Sequence, residues 1–274
     1  MKSRSFIPLV LVFGLAFVLT GTAAAQPVPP GSPTSQAFSR AEYSPSAINH
    51  SVYLPLLRTS DPLLYDDFNN PAFDGAYDPM LWNLADGAAG YKGEQQAGAF
   101  VFSNDPSVTP AWSCANLMLT KPQQRSLAQL QLFEARLRLA SDLSGGKASV
   151  EMSFQSRKVG TPSHLWATGC WIGATVGSQP SLECSIGGSS GLAYSTGYHD
   201  VAYDTWHKVR IEANPVSAEL RYYLDGALIG SHVPSDAADV LQADSFVPRI
   251  SACTYSTGTS ATRYVDDVRI TPAQ

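Results

Sequence analysis

Residues 206–230 read WHKVRIEANPVSAELRYYLDGALIG, and their spacing decides the fold. Val209, Ile211 and Ala213 alternate with Lys208, Arg210 and Glu212, and after a break at Asn214-Pro215 the apolar series resumes at Leu220, Tyr222 and Leu224. A period of two places successive side chains on opposite faces of an extended chain, so these are two half-buried strands. Pro215 has no amide hydrogen to continue a ladder, and Asp225-Gly226 supplies the pair of positive-φ residues that a tight type I′ turn requires. Ala227-Leu228-Ile229 then opens a third strand, giving a β-meander with its core on one face.

Working outward, alternation recurs. Leu130 to Ala140 sets Phe133, Ala135, Leu137 and Leu139 against Glu134, Arg136 and Arg138, and Ser149 to Gln155 sets Val150, Met152 and Phe154 against Ser149, Glu151, Ser153 and Gln155. Ala97 to Ser103 and Cys114 to Thr120 read as two more strands joined by a proline-containing loop. Only Ser235 to Gln242 has a helical pattern, with Ser235 as its N-cap after Pro234. Many short alternating segments separated by Gly, Pro, Asn and Ser, in a stretch of about 210 residues without an internal linker, suit one all-β domain.

A Trp-x-x-Val-x-Ile strand from Trp206, an apolar strand ending in Tyr-x-Asp-Gly at Gly226, and a further strand near Gly230-Ser231 resemble the central hairpins of the concanavalin A-like lectin/glucanase jelly roll, in the manner of laminin G-like domains. Asp66-Asp67-Phe68 at the start and Tyr264 to Ile270 at the end agree with that pattern, so the resemblance spans roughly Leu63 to Thr271. It implies an antiparallel two-sheet sandwich. It leaves function open, because one fold hosts lectins, glycosidases and adhesive modules alike.

At the other end of the chain, Lys2 and Arg4 precede the apolar run Phe6 to Leu19, and Ala23-Ala24-Ala25 offers small residues for cleavage before Gln26. This is the pattern of a secretory signal peptide over residues 1–25, too short and too promptly followed by polar chain to be an anchor. Residues 26–60 are rich in Pro, Ser, Thr and Ala and read as a spacer, with the apolar stretch Ser51 to Leu57 expected to dock on the domain as an edge strand. Asn49-His50-Ser51 fits a glycosylation sequon. The domain proper is assigned to 61–274. Without Lys2 and Arg4 the 18 basic residues fall to 16 against 23 acidic ones, a formal charge of −7. Such a chain has no electrostatic case for binding nucleic acid or an anionic membrane.

Cys114, Cys170, Cys184 and Cys253 form an even set in an exported chain, so two disulfides are expected. Sequence does not choose among the three pairings. Cys170–Cys184 is favoured because the two flank a hairpin turning at Gly177 to Ser181, which leaves Cys114–Cys253. A zinc site would want a close Cys pair or His-x-x-x-His, and neither occurs.

The resemblance directs the search for chemistry to the concave sheet face, where this fold holds saccharides. Laminarinase- and lichenase-type relatives carry Glu-x-Asp-x-x-Glu on one such strand, with nucleophile and general acid about 5–5.5 Å apart for retention. The comparable stretch here is Glu151-Met-Ser153-Phe-Gln-Ser156, in which two serines replace the later acids. A serine can neither protonate a glycosidic oxygen nor form the usual glycosyl ester. Glu134, expected on an adjacent strand, is the second carboxylate a hydrolase would need, although a salt-bridge ladder of Arg136 and Arg138 with Glu151 is the plainer expectation.

Aromatic faces cover the apolar side of a sugar ring while carboxylates and amides take its hydroxyls, so Trp166, Trp171, Tyr194 and Tyr198 form the expected platform, with Glu151 and Gln155 beside them. Trp82 is expected to pack at a sheet edge. His164, His199, His207 and His232 gather around no nucleophile, Gly-x-Ser-x-Gly is absent, and Gly187 to Gly191 lacks the lysine of a phosphate cradle. The acidic pairs Asp66-Asp67 and Asp266-Asp267 fall where the resemblance implies that first and last strands meet, and where relatives hold a structural calcium ion; Asp67 and Asp267 are its expected ligands.

The reading is therefore a secreted lectin-like or adhesive module whose partner is a polysaccharide or glycan. Its rivals are a glycosidase using Glu151 with Glu134 and a structural laminin G-like module. The last predicts that Trp166 and Tyr198 pack inside and that no groove opens.

Overall fold

The meander forms as its spacing requires: β12 (His207–Ala213), β13 (Leu220–Leu224) and β14 (Ala227–His232) pair antiparallel in that order. Asp225 and Gly226 have φ of 50° and 86°, the two positive values of a type I′ turn. At the other bend Asn214 Oδ1 accepts the amides of Val216 and Ser217, and Ala218 closes the loop at φ 57°.

The computed structural model describes residues 64–85, 89–120, 130–157, 165–188, 191–235 and 245–272, all within one compact unit that begins at Ser60. The leader, the spacer with its Ser51–Leu57 segment, His164 and all but the first residue of the expected helix at Ser235–Gln242 lie outside them.

In chain order the remaining strands are β1 (Leu64–Asp66), β2 (Trp82–Ala85), β3 (Tyr91–Gln95), β4 (Phe100–Asn104), β5 (Ser113–Leu119), β6 (Leu130–Leu139), β7 (Lys147–Arg157), β8 (Leu165–Thr175), β9 (Ser181–Gly188), β10 (Gly191–Ser195), β11 (His199–Asp200), β15 (Ser245–Thr254) and β16 (Arg263–Pro272). They form two eight-stranded sheets. The meander sheet runs β14-β13-β12-β6-β16-β4-β3, with β1 also on β16. The second, which we call the disulfide sheet, runs β10-β9-β8-β7-β15-β5-β2, with β11 also on β9. Every pairing between strands is antiparallel.

The inward residues of both sheets make one core. Phe133 of β6 meets Phe154 of β7 across it, with ring centroids 4.9 Å apart. Tyr222, fully buried, shares a 2.8 Å hydrogen bond with Thr168 Oγ1 on the opposite sheet, so its hydroxyl is satisfied where water cannot reach. Each such buried side chain contributes about 1.5–3 kcal/mol relative to exposure.

Both disulfides join residues directly opposed on neighbouring strands of one sheet. Cys170 pairs with Cys184 across β8 and β9 on the core side, and Cys114 with Cys253 across β5 and β15 on the other side. The paired acids at the domain ends acquire separate local reasons. Asp66 accepts the Phe68 amide at one oxygen and the Trp82 indole N–H, at 2.6 Å, at the other, and Trp82 packs fully buried against Phe68. Asp267 has φ 49° and sits at a register shift in β16, the bulge that turns both Asp266 and Asp267 toward Arg136.

Candidate functional site

Alternation correctly divides the residues of β6 and β7 into inner and outer, but the two strands belong to different sheets. β6 lies between β12 and β16, and β7 between β8 and β15. Glu134 and Glu151 therefore point outward from opposite sides of the sandwich with the core between them, and they cannot act on one bond. The expected ladder from Arg136 and Arg138 to Glu151 is corrected for the same reason. Arg136 pairs with Asp266 and Asp267 at 3.5 and 3.3 Å, and Arg138 lies 3.8 Å over the Tyr264 ring and 4.8 Å over Trp206.

The outer face of the meander sheet is built of such pairs. Lys208 meets Glu134 at 2.8 Å, Arg210 meets Glu212 at 3.5 Å and lies over Tyr223, and the Tyr223 hydroxyl donates to Glu212 at 2.8 Å. A hollow of about 320 Å³ lined by Glu134, Lys208, Arg210, Tyr223, Asp225 and Gly226 opens here. Its charged groups already have partners: Glu134 with Lys208, Arg210 with Glu212 and the Tyr223 ring, and Asp225 with His207.

The outer face of the disulfide sheet is made differently. Along one row, perpendicular to the strands, stand Asn116 (β5), Ser251 (β15), Glu151 (β7), Trp171 (β8) and Glu183 (β9). Their inward neighbours Leu117, Ile250, Met152, Ile172 and Leu182 are all fully buried, which fixes the outward direction of the row. Around Trp171 the outward positions are small: Gly169 and Gly173 on its own strand, Ser149 and Ser153 on β7, Ser181 and Ser185 on β9. A Cβ at Gly169 would come within 2.8 Å of the Ser153 Cβ and the Met152 carbonyl, so that floor is closely packed. The half-buried indole thus rises from a bed of serine and glycine with a carboxylate on each side.

Each carboxylate is held. Glu151 Oε1 accepts Ser149 Oγ at 2.6 Å and the Tyr255 hydroxyl at 2.8 Å. Burial and then the Glu151 charge push the Tyr255 phenol far up, so it remains a neutral donor. Arg249 donates to Ser153 at 3.3 Å, and burial lowers its pKa while Glu151 opposes the shift. Glu183 accepts Ser195 Oγ at 2.6 Å, and its charge, ahead of burial, pushes the Tyr198 phenol up. Tyr198 itself is 73% exposed. At the far end of the face Trp112, 53% exposed and at φ 55°, stands edge-on to Tyr255 at 5.3 Å.

Of the expected platform, Trp171 and Tyr198 share this face. Tyr194 does not: it stacks on Tyr222 and His232 at the rim of the core, on the inner side with Ile186. Trp166 pairs through its backbone with Ser156, and the side chains of Trp166 and Gln155 lie outside what the structure describes. Glu183, Tyr255, Arg249 and Trp112 escape the sequence reading. For Glu183 the signal is present, since Leu182, Cys184 and Ile186 alternate with it. For Trp112 nothing in the sequence announces the left-handed backbone that turns it onto Tyr255.

The first and last strands do pair, β1 on β16. Asp67 caps the Asn69 amide, while Asp267 accepts the Tyr65 hydroxyl at 2.9 Å and faces Arg136. Among the described residues no three His, Cys, Asp or Glu side chains are grouped to hold a metal ion, and Arg136 lies 3.5 Å from Asp266 and 3.3 Å from Asp267 at this edge. No helix among the described residues is long and apolar enough to cross a membrane.

Neither a protein-family model nor a curated protein sequence matches the chain. Solved structures do. A laminarinase from Flavobacterium sp. UMI-01 superimposes with a TM-score of 0.56 at 13% identity, over 77% of this chain and 99% of that one. The β-glucanase of Bacillus licheniformis gives 0.54 at 14%, over 76% and 97%. The Crh5 transglycosylase in complex with NAG gives 0.54 at 14%, over 77% and 84%. With two antiparallel sheets packed face to face and these neighbours, the chain has the all-β fold of the concanavalin A-like lectin/glucanase superfamily.

Proposed function

We propose that this protein is a secreted, non-catalytic carbohydrate-binding module, and that it holds a polysaccharide or glycan on the outer face of the disulfide sheet. One observation carries the reading: the Trp171 ring stands on a serine and glycine floor between Glu151 and Glu183. A stacked ring with hydrogen-bonding carboxylates on both sides suits a sugar, whose C–H face is apolar and whose rim is hydroxylated. The neighbouring fold supports it at the level of chemistry, since the names of its members speak of laminarin and β-glucan. Two disulfides agree with an oxidising, extracellular compartment.

Against a hydrolase stand the separation of Glu134 from Glu151 by the core and the serine at 153. Glu151 and Glu183 share a face, two strand spacings or roughly 9–10 Å apart at the backbone. The Trp171 indole stands between them. Against a purely structural module stands the exposure of Tyr198, which that reading would bury.

The test is a panel of β-glucans, galactans and host glycans, with retention and new reducing ends read on the same samples. Retention without cleavage, lost in Trp171→Ala, supports the module. New reducing ends that vanish in Glu151→Gln overturn it in favour of an enzyme. We extend the proposal to a structural calcium ion at Asp67 and Asp267, where it would take over the countercharge that Arg136 provides. A Tm that rises with calcium and falls back with chelator supports this, and an unchanged Tm counts against it.

A further inference from the structure

The outer face of the disulfide sheet is electrically lopsided. On its β15–β7 half, Arg249 and Lys147 accompany Glu151, with Lys147 5.0 Å over the Tyr255 ring. On the β8–β11 half the strands bring no Lys or Arg of their own, because none occurs between Lys158 and Lys208, and their one histidine, His199, pairs in register with the inward Leu182 rather than with Glu183. That half nonetheless carries two carboxylates. Glu183 lies beside Trp171, and Asp200 of β11 pairs in register with Ser181, two residues along the strand from Glu183. No salt bridge to Glu183 or Asp200 forms among the described residues, and Ser195 and Tyr198 offer Glu183 only neutral hydroxyls. Two aromatic rings, Trp171 and the exposed Tyr198, stand at the same place.

An uncompensated carboxylate between aromatic faces is the donor set that recognises an organic ammonium, which gains Coulomb attraction from the acid and cation–π attraction from the rings. Neutral hydroxyls would leave the negative charge unmatched, and an anionic sugar would be repelled. We infer that the β8–β11 half of this face takes a saccharide bearing a free, protonated amine, with the ammonium at Glu183 and Tyr198 and the sugar ring on Trp171. The inference rests on the saccharide-binding reading above and names the class of sugar.

The experiment titrates the full chain, purified after export, with oligomers of β-linked glucosamine and with the same oligomers fully N-acetylated, at slightly acid pH where the free amines are charged. Tighter binding of the amine form by about tenfold, equivalent to about 1.4 kcal/mol, is expected. The preference disappears in Glu183→Gln, which weakens the amine form far more than the acetylated form. Both oligomers lose affinity in Trp171→Ala. Equal binding of the two oligomers, both dependent on Trp171, overturns the amine assignment and leaves the saccharide reading standing. A preference that survives both substitutions marks diffuse attraction to an acidic protein and also overturns it. No binding of either oligomer, together with none in the wider glycan panel, overturns both readings.

Discussion

The two outer faces of the sandwich solve the same problem with opposite chemistry. Both cover the one shared core, and both must meet water. The meander sheet covers itself with long charged side chains, and each of Arg136, Arg138, Lys208 and Arg210 is neutralised by a carboxylate or laid on a ring. The disulfide sheet presents serine and glycine around the half-buried Trp171 ring. A face covered by mutual ion pairs has little left to offer a ligand, whereas a low floor with one raised ring and two anchored carboxylates leaves its hydrogen-bonding capacity turned outward. The covalent bridges belong to this difference, because a sheet whose outer side chains are small gains little from contacts among them. Both disulfides lie in that sheet.

The largest effect expected from breaking this contrast is on stability. Replacing Cys114 and Cys253 together by serine opens a link across 139 residues and should cost about 4–5 kcal/mol on a chain-entropy account, against about 3 kcal/mol for Cys170 and Cys184, which are 14 apart. Urea titration of the two double variants gives the order directly, and equal losses would argue against loop length as the cause.

Next in size, Trp171→Ala should weaken glycan binding by about 2 kcal/mol or more while leaving the unfolding midpoint nearly unchanged, because the ring packs outside the core. Calorimetric titration and thermal unfolding of the same variant check both halves of that statement.

Tyr255→Phe removes one of the two hydroxyls on Glu151 Oε1 and should cost about 1–2 kcal/mol. It also has a signature in pH. The phenol's pKa is raised in the folded state above the ordinary 10.0, so its contribution is whole below that value and is lost as the pH climbs above it. Stability should therefore fall on the alkaline side, and less steeply in Tyr255→Phe, as followed by tyrosinate absorbance alongside unfolding.

The smallest effect belongs to the other face. Glu134→Gln breaks the pair with the largely exposed Lys208 and should cost under about 1 kcal/mol, with no change in glycan binding. A large loss of binding there would reverse the comparison.

How much of this was legible in the sequence follows from what period-two spacing can and cannot report. It assigned inner and outer residues on the meander, β6 and β7 correctly, and the turn at Asp225-Gly226 was written in two residue types. It could not report which sheet a strand joins. Consecutive strands usually neighbour one another, yet the chain crosses from the meander sheet to the disulfide sheet between β6 and β7, so Glu134 and Glu151 parted company. The hairpin bridge was legible because the two cysteines flank a local turn. Tyr194 misled because an aromatic beside polar residues looks the same on a strand whether it turns out to the ligand or in to Tyr222. Trp112 was hidden in a backbone conformation that tryptophan seldom adopts.

The central claim is that ligand meets the disulfide sheet, and steric blocking tests it most directly. A side chain grown from Gly173 would enter ordinary contact with Ser149 and Trp171 Cδ1, at 3.5 and 3.8 Å from its Cβ, and project over the platform without breaking the fold. Leu228, 57% exposed on β14 of the meander sheet, is the matching control. Titration with the best glycan of the panel should show binding abolished in Gly173→Arg and intact in Leu228→Arg. Binding retained in Gly173→Arg and lost in Leu228→Arg would place the site on the wrong sheet and contradict the account.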